Sequence, residues 1–79
     1  MMNWMEILKS IYQKLDAKGL NHISREIQNE QLAGGTGAEM FSFVLDKLIS
    51  IRDHEPDVSA LIQDEINWMV AYAKTIGYL

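Results

Sequence analysis

The amino-acid sequence predicts an all-α protein, a small compact bundle of four helices with a short second helix and no β-sheet. Apolar residues recur at helical spacing in four segments, and glycine-rich or proline-containing stretches separate these segments. No segment shows the strict two-residue alternation of a half-buried strand. The chain has 79 residues and no cysteine, so we expect one helical domain over residues 1–79, with a thin core that no disulfide reinforces.

The first helix is predicted at residues 4–18. Asn3 can cap it, and Glu6 three residues later completes a pair that resembles a capping box. Gly19 is placed to end the helix in the left-handed conformation. The apolar residues between these limits form one stripe at helical spacing: Trp4, Ile7, Leu8, Ile11, Tyr12 and Leu15.

The second helix is predicted at residues 22–32, after Asn21 as its cap. Its apolar face is small, because it consists mainly of Ile23 and Ile27, with Leu20 packing from outside the helix. Two isoleucines cannot hold an isolated helix in water, so this helix must depend on its neighbours for stability.

The third helix is predicted at residues 37–52, after the glycine-rich stretch AGGTGAE. Thr36 and Glu39 have the spacing of a Thr-x-x-Glu capping box. Beyond them only a narrow polar stripe interrupts an otherwise apolar helix, so we expect this helix to lie at the centre of the bundle. A phosphate site at GGTG is disfavoured, since no strand precedes it, no lysine follows it, and the carboxylate of Glu39 would repel an anion. We interpret the stretch as a connector.

The fourth helix is predicted at residues 56–76. Pro56 suits its first turn, and Gly77 can end it. Glu65 falls within its apolar face, where a carboxylate is costly unless it is paired. Two interpretations remain open: Glu65 lies at the rim or bonds a tyrosine or lysine of another helix, or it faces a partner chain.

The charge distribution excludes autonomous nucleic-acid binding. The net charge is −4, and the whole excess lies in residues 39–79, which hold seven acidic and three basic residues. No cluster of lysine and arginine is available to neutralise phosphates. No apolar run reaches the roughly 18 residues of a membrane-spanning helix, and the first ten residues lack the features of a secretory signal. We expect a cytoplasmic protein that does not bind membranes.

No arrangement of residues predicts catalysis or a cofactor. Without cysteine a nucleophile would have to be serine, and no serine has the required context. His22 and His54 each lie near carboxylates, which leaves a metal- or ligand-binding regulator as one alternative. We predict that the chain is not an enzyme and needs no cofactor.

Surplus apolar side chains predict a protein interface. Met1, Met2 and Met5 add apolar residues near the N-terminus, and large apolar or aromatic side chains are typical of interfaces. We therefore expect a small non-catalytic interaction or regulatory module that forms a homodimer or binds a protein partner. The alternative is an acidic inhibitor or immunity-type protein that binds a basic nuclease or toxin, because complementary charge speeds such association. The expected interface combines aromatic and acidic side chains: Trp4, Phe43, Asp57, Asp64, Glu65, Trp68 and Tyr72.

Overall fold

The computed structural model describes residues 3–79, and Met1 and Met2 lie outside this range. The described residues form five α-helices: α1 Trp4–Ala17, α2 Asn21–Ala33, α3 Gly37–His54, α4 Pro56–Leu61 and α5 Gln63–Thr75. Helices account for 83% of the structure, and none of the described residues belongs to a strand. The predicted all-α class is therefore confirmed.

Four of these helices form an antiparallel bundle, in which α1 lies against α2 and α5, and α3 lies against α2, α4 and α5. Lys14, near the end of α1, bonds Glu65 at the start of α5, whereas Trp4 at the start of α1 packs against Phe41 near the start of α3. One end of the bundle is where α1 and α3 begin and where α2 and α5 finish. We call it the loop end, because the α2–α3 loop of residues 34–36 lies there. The opposite end, beside α4, is the α4 end.

The core runs the length of the bundle and is drawn from all four long helices. It contains the following buried apolar residues: Ile7, Leu8, Ile11, Leu15, Ile23, Ile27, Phe41, Val44, Leu45, Leu48, Ile51, Ile62, Ile66, Met69 and Ala73. The apolar stripes predicted for the helices supply these positions, so burial of the stripes against each other provides the main stabilising free energy.

Several predicted helix boundaries are confirmed by their local geometry. The side chain of Asn3 accepts a hydrogen bond from the backbone N–H of Glu6 at 3.1 Å. Thr36 Oγ1 accepts the corresponding bond from the N–H of Glu39 at 3.2 Å. Gly19 has φ +72° just after α1, in the left-handed region where glycine carries no steric penalty.

The second helix differs from the prediction in two respects. Asn21 is its first helical residue rather than its cap; Leu20 occupies the cap position and makes no side-chain capping bond. Leu20 packs against the core instead. The helix is also not short, since its 13 residues equal the length of α5.

The predicted fourth helix is divided at Ile62 into the short α4 and the longer α5, so the described residues form five helices, four of them long, where the sequence predicts four. The backbone of Ile62 leaves the helical range, with φ −119° and ψ 27°, and its side chain is fully buried. The segment α4 packs against α3, whereas α5 packs against both α1 and α3. A change of direction at Ile62 allows both segments to bury their apolar faces, which one straight helix does not.

Candidate interaction surfaces

Three of the four predicted interface aromatics belong to one cluster built around Phe41. The rings of Trp4 and Tyr72 each contact Phe41 edge-to-face with ring centres 5.4 Å apart. Trp68 stacks on Tyr72 at 5.3 Å. Phe41 is only 2% exposed, and Trp4, Trp68 and Tyr72 are partly buried against the core. Much of their aromatic surface therefore stabilises the fold of the chain itself.

Phe43 lies apart from this cluster. It follows Phe41 by two residues, which is about 200° around a helix, so it occupies the opposite side of α3. Its neighbour one turn later, Lys47, forms an ion pair with Glu26 of α2 at 2.7 Å. Phe43 is thus partly buried beside the α2–α3 boundary, and the structure does not join it to the other three aromatics.

The three predicted acids lie at the α4 end, away from Trp4. Asp57 is in the first turn of α4 and Asp64 in the first turn of α5, and both are exposed. Lys14, which bonds Glu65, lies ten residues after Trp4 on α1, a separation of about 15 Å along the helix. The structure therefore separates these acids from Trp4, whereas Trp68 follows Asp64 by one turn of α5.

Glu65 is buried and bonds another helix of the same chain. Its carboxylate accepts hydrogen bonds from Lys14 Nζ at 3.1 Å and from Ser10 Oγ at 3.2 Å. The residue is 7% exposed, whereas the Lys14 side chain is 43% exposed. Of the two interpretations left open by the sequence, the structure shows the bond to a lysine of a neighbouring helix.

Opposing effects determine the pKa of Glu65. Burial acts to raise the pKa of this carboxyl group, but hydrogen bonds from Lys14, from the backbone and from Ser10 outweigh burial and lower the pKa below 4.5. The bond to Glu65 in turn raises the pKa of Lys14, and the nearby charge of Asp64 contributes in the same direction. The group is a charged pair that links α1 to α5 and holds Glu65 ionised.

Exposed large apolar side chains gather at the loop end. They come from the starts and ends of helices that are distant in sequence: Met5, Leu32, Ile76, Tyr78 and Leu79. Gln31, near the end of α2, bonds two residues of α1. Its amide nitrogen donates to Met5 Sδ at 4.0 Å, and its amide oxygen accepts from the hydroxyl of Tyr12 at 3.0 Å. The hydroxyl of Tyr78 donates to the carbonyl of Ala38 at 3.2 Å, which fixes the C-terminal residues beside the start of α3.

Only Met5 of this apolar group was among the surplus apolar residues named from the sequence, although one further signal for the group is present there. Leu32 lies about 180° from Ile23 around α2, on the side of the helix that is otherwise polar. It is also the most exposed of the five, at 80%. The others belong to helix ends, where the helical periodicity of the sequence carries little information.

Residues 53–73, at the α4 end, are rich in acids: they include five carboxylates and neither lysine nor arginine. Two of the five are paired, since Arg52 bonds Asp53 at 3.1 Å and Lys14 bonds the buried Glu65. Asp57 and Asp64 are exposed. Lys18 and Arg25 are also exposed at this end, so the α4 end carries both signs of charge, and exposed large apolar side chains distinguish the loop end from it.

The two histidines lie at the α4 end, where His22 belongs to the first turn of α2 and His54 is the last residue of α3. Both are exposed. Within residues 3–79, histidine, aspartate and glutamate form no group of three or more with the geometry of a metal site, and no pocket is found in this part of the chain. The same residues include no helix that is long and apolar enough to cross a membrane.

No protein-family model matches the chain, and comparison with curated proteins and with solved structures gives no significant match. The interpretation of its surfaces therefore depends on their chemistry.

Proposed function

We propose that this chain is a small non-catalytic protein–protein interaction module that associates with itself. The observation that carries the proposal is the concentration of five exposed apolar side chains at the loop end. Exposed apolar groups of this kind are typical of interaction surfaces, because their burial against a partner removes them from water.

The accessible surface of the chain is that of a compact monomer. The surface of the chain is 4795 Å², close to the roughly 4,900 Å² expected for a folded monomer of this mass. The buried core is continuous within one copy. Association is therefore proposed between folded copies, and it depends on protein concentration.

Sedimentation equilibrium of the purified chain over a range of micromolar concentrations tests this proposal. We expect a reversible monomer–dimer equilibrium that changes little between low and high salt, because apolar burial is screened far less than charge pairing. A strict monomer at high micromolar concentration would contradict self-association.

A second candidate function uses the α4 end. The exposed carboxylates of Asp57 and Asp64 favour docking of a basic protein, as in an inhibitor or immunity-type protein that binds a basic nuclease or toxin. Complementary charge raises the association rate of such a complex, and salt lowers it. Capture of partners from the native host with wild type and with the Asp57→Lys, Asp64→Lys double variant tests this candidate. A basic protein captured by the wild type and lost with the double variant would support it, whereas equal capture by both proteins would refute it.

A further inference from the structure

We infer that the loop end is the self-association surface and that its occupant is the loop end of a second copy, so that two bundles meet end to end about a two-fold axis. This inference rests on the proposed self-association and adds its location and geometry. Two properties of the loop end support it: its apolar area and the presence of both signs of charge.

The apolar area agrees with what one side of a stable dimer needs. The five residues are between 41 and 80% exposed, and large residues present about 200 Å² each, so together they expose up to roughly 500 Å² of apolar surface. A standard interface buries about 800 Å² on each partner, of which about 65% is apolar in homodimers. The apolar share of one such side is therefore also about 500 Å².

The loop end carries both signs of charge. Glu6 and Glu39 lie in the first turns of α1 and α3, and Glu30 lies in the last turn of α2. Lys74 lies in the last turn of α5. In a two-fold interface a residue away from the axis contacts a different residue of the other copy, so Lys74 of one copy can oppose one of these acids of the other.

Leu32 has the most apolar surface left to bury in the contact. It is 80% exposed and lies on a side of α2 that is otherwise polar, where burial in a partner would remove more apolar surface than at any other of the five residues. Because the dimer is symmetric, every substitution acts twice.

Charge insertion gives the first test. We expect Leu32→Lys and Ile76→Lys each to weaken dimerisation at least about tenfold in sedimentation equilibrium, since each introduces two buried or opposed ammonium groups per dimer. Ala17→Lys is the matched control, because it adds the same charge at an exposed position of the α4 end and leaves the dimer unchanged. Both substituted apolar residues are exposed, so circular dichroism melts of all three variants should match the wild type.

Distance measurement gives a second test that perturbs the surface less. The chain contains no cysteine, so a single spin label can be placed through Leu32→Cys or, as the control, Ala17→Cys. We expect labels at position 32 to be separated by less than the 32 Å longest dimension of one copy, and labels at position 17 by a distance that approaches twice this length. These distances follow from the end-to-end arrangement alone.

The outcomes separate the inference from the proposed function. If the wild type dimerises but Leu32→Lys and Ile76→Lys leave the dimer intact, the location is wrong and self-association stands. A short distance between labels at position 17 has the same meaning. If the wild type is a monomer at high micromolar concentration, the proposed self-association fails, and the end-to-end dimer fails with it.

Discussion

Gly34→Ala tests why the loop between α2 and α3 is rich in glycine. The sequence favours a connector over a ligand-binding loop, and the structure provides a steric reason for one of its glycines. A Cβ atom at Gly34 would lie 2.5 Å from the backbone nitrogen and 2.7 Å from the Cα of Met40. These are backbone atoms of the first turns of α3, which cannot move aside by a change of rotamer.

The expected cost is about 1–3 kcal/mol of unfolding free energy. Overpacking of a fixed environment typically costs this amount. The backbone of Gly34 has φ −77° and ψ 133°, a conformation open to alanine, so the penalty arises from the close contact and not from the dihedral angles. Alanine also restricts the unfolded chain, which offsets at most about 1 kcal/mol of the loss.

Two neighbouring glycines serve as matched controls. A Cβ at Gly35 would meet only the terminal oxygen of the Glu39 side chain, at 3.3 Å, and a Cβ at Gly37 would meet no atom within 4 Å. Urea denaturation of Gly34→Ala, Gly35→Ala and Gly37→Ala should show a lower midpoint for the first variant, and no loss or a gain of up to about 1 kcal/mol for the other two. Equal stability of all three variants would refute the close contact between Gly34 and α3.

Three further predictions concern buried polar groups. Lys14→Met leaves Glu65 bonded only to its backbone and Ser10, so burial should raise the Glu65 pKa above 4.5. The variant should therefore gain stability as pH falls from about 7 to 5. The wild type instead keeps the stability that ionised Glu65 contributes above pH 4.5 and loses it as pH falls through the lowered pKa. Parallel pH–stability profiles from chemical denaturation would contradict this. Ser24→Ala should be neutral or stabilising by up to about 1 kcal/mol, since the buried Ser24 hydroxyl lacks a hydrogen-bond partner among residues 3–79; a clear loss of stability in urea would mean that it has one. Burial raises the Tyr12 pKa from 10.0 to about 12, so the fold should lose stability between these pH values, and Tyr12→Phe should remove that loss. An equal loss of stability with pH in the variant would show that Tyr12 is not its source.

The parts of the fold that depend on neighbouring residues could be predicted from the sequence. Asn3 and Thr36 cap their helices through bonds to residues three positions later, and Gly19 supplies the left-handed residue after α1. The apolar stripes follow from helical periodicity alone. Each of these features is decided within one or two turns, where the chemical alternatives are few.

The break at Ile62 depends on distant contacts and was not predicted. The apolar positions of α4 and α5 continue across Ile62 in a helical pattern, so periodicity alone favours one helix. A local signal was present nevertheless, because Asp64 and Glu65 place acids where a new helix would begin, and carboxylates are favourable in a first turn. The identity of the residue that bonds Glu65 could not be predicted either, because Lys14 is 51 residues away in the sequence and only the packing of α1 against α5 brings the two together.

The composition of the predicted interface shows what a helical wheel omits. A wheel gives the direction of a side chain around its axis, but not which residues of other helices lie at the same height. The packing of the helices places Trp4 beside Phe41 and Lys14 beside Glu65, so height along the bundle separates Trp4 from the acids, whereas Trp68 follows Asp64 by one helical turn. The same packing brings Met5, Leu32 and the residues after α5 to one end, although they are spread over the whole sequence. Under our two proposals self-association uses the loop end and binding of a basic partner uses the α4 end, so the two functions would not compete for the same residues.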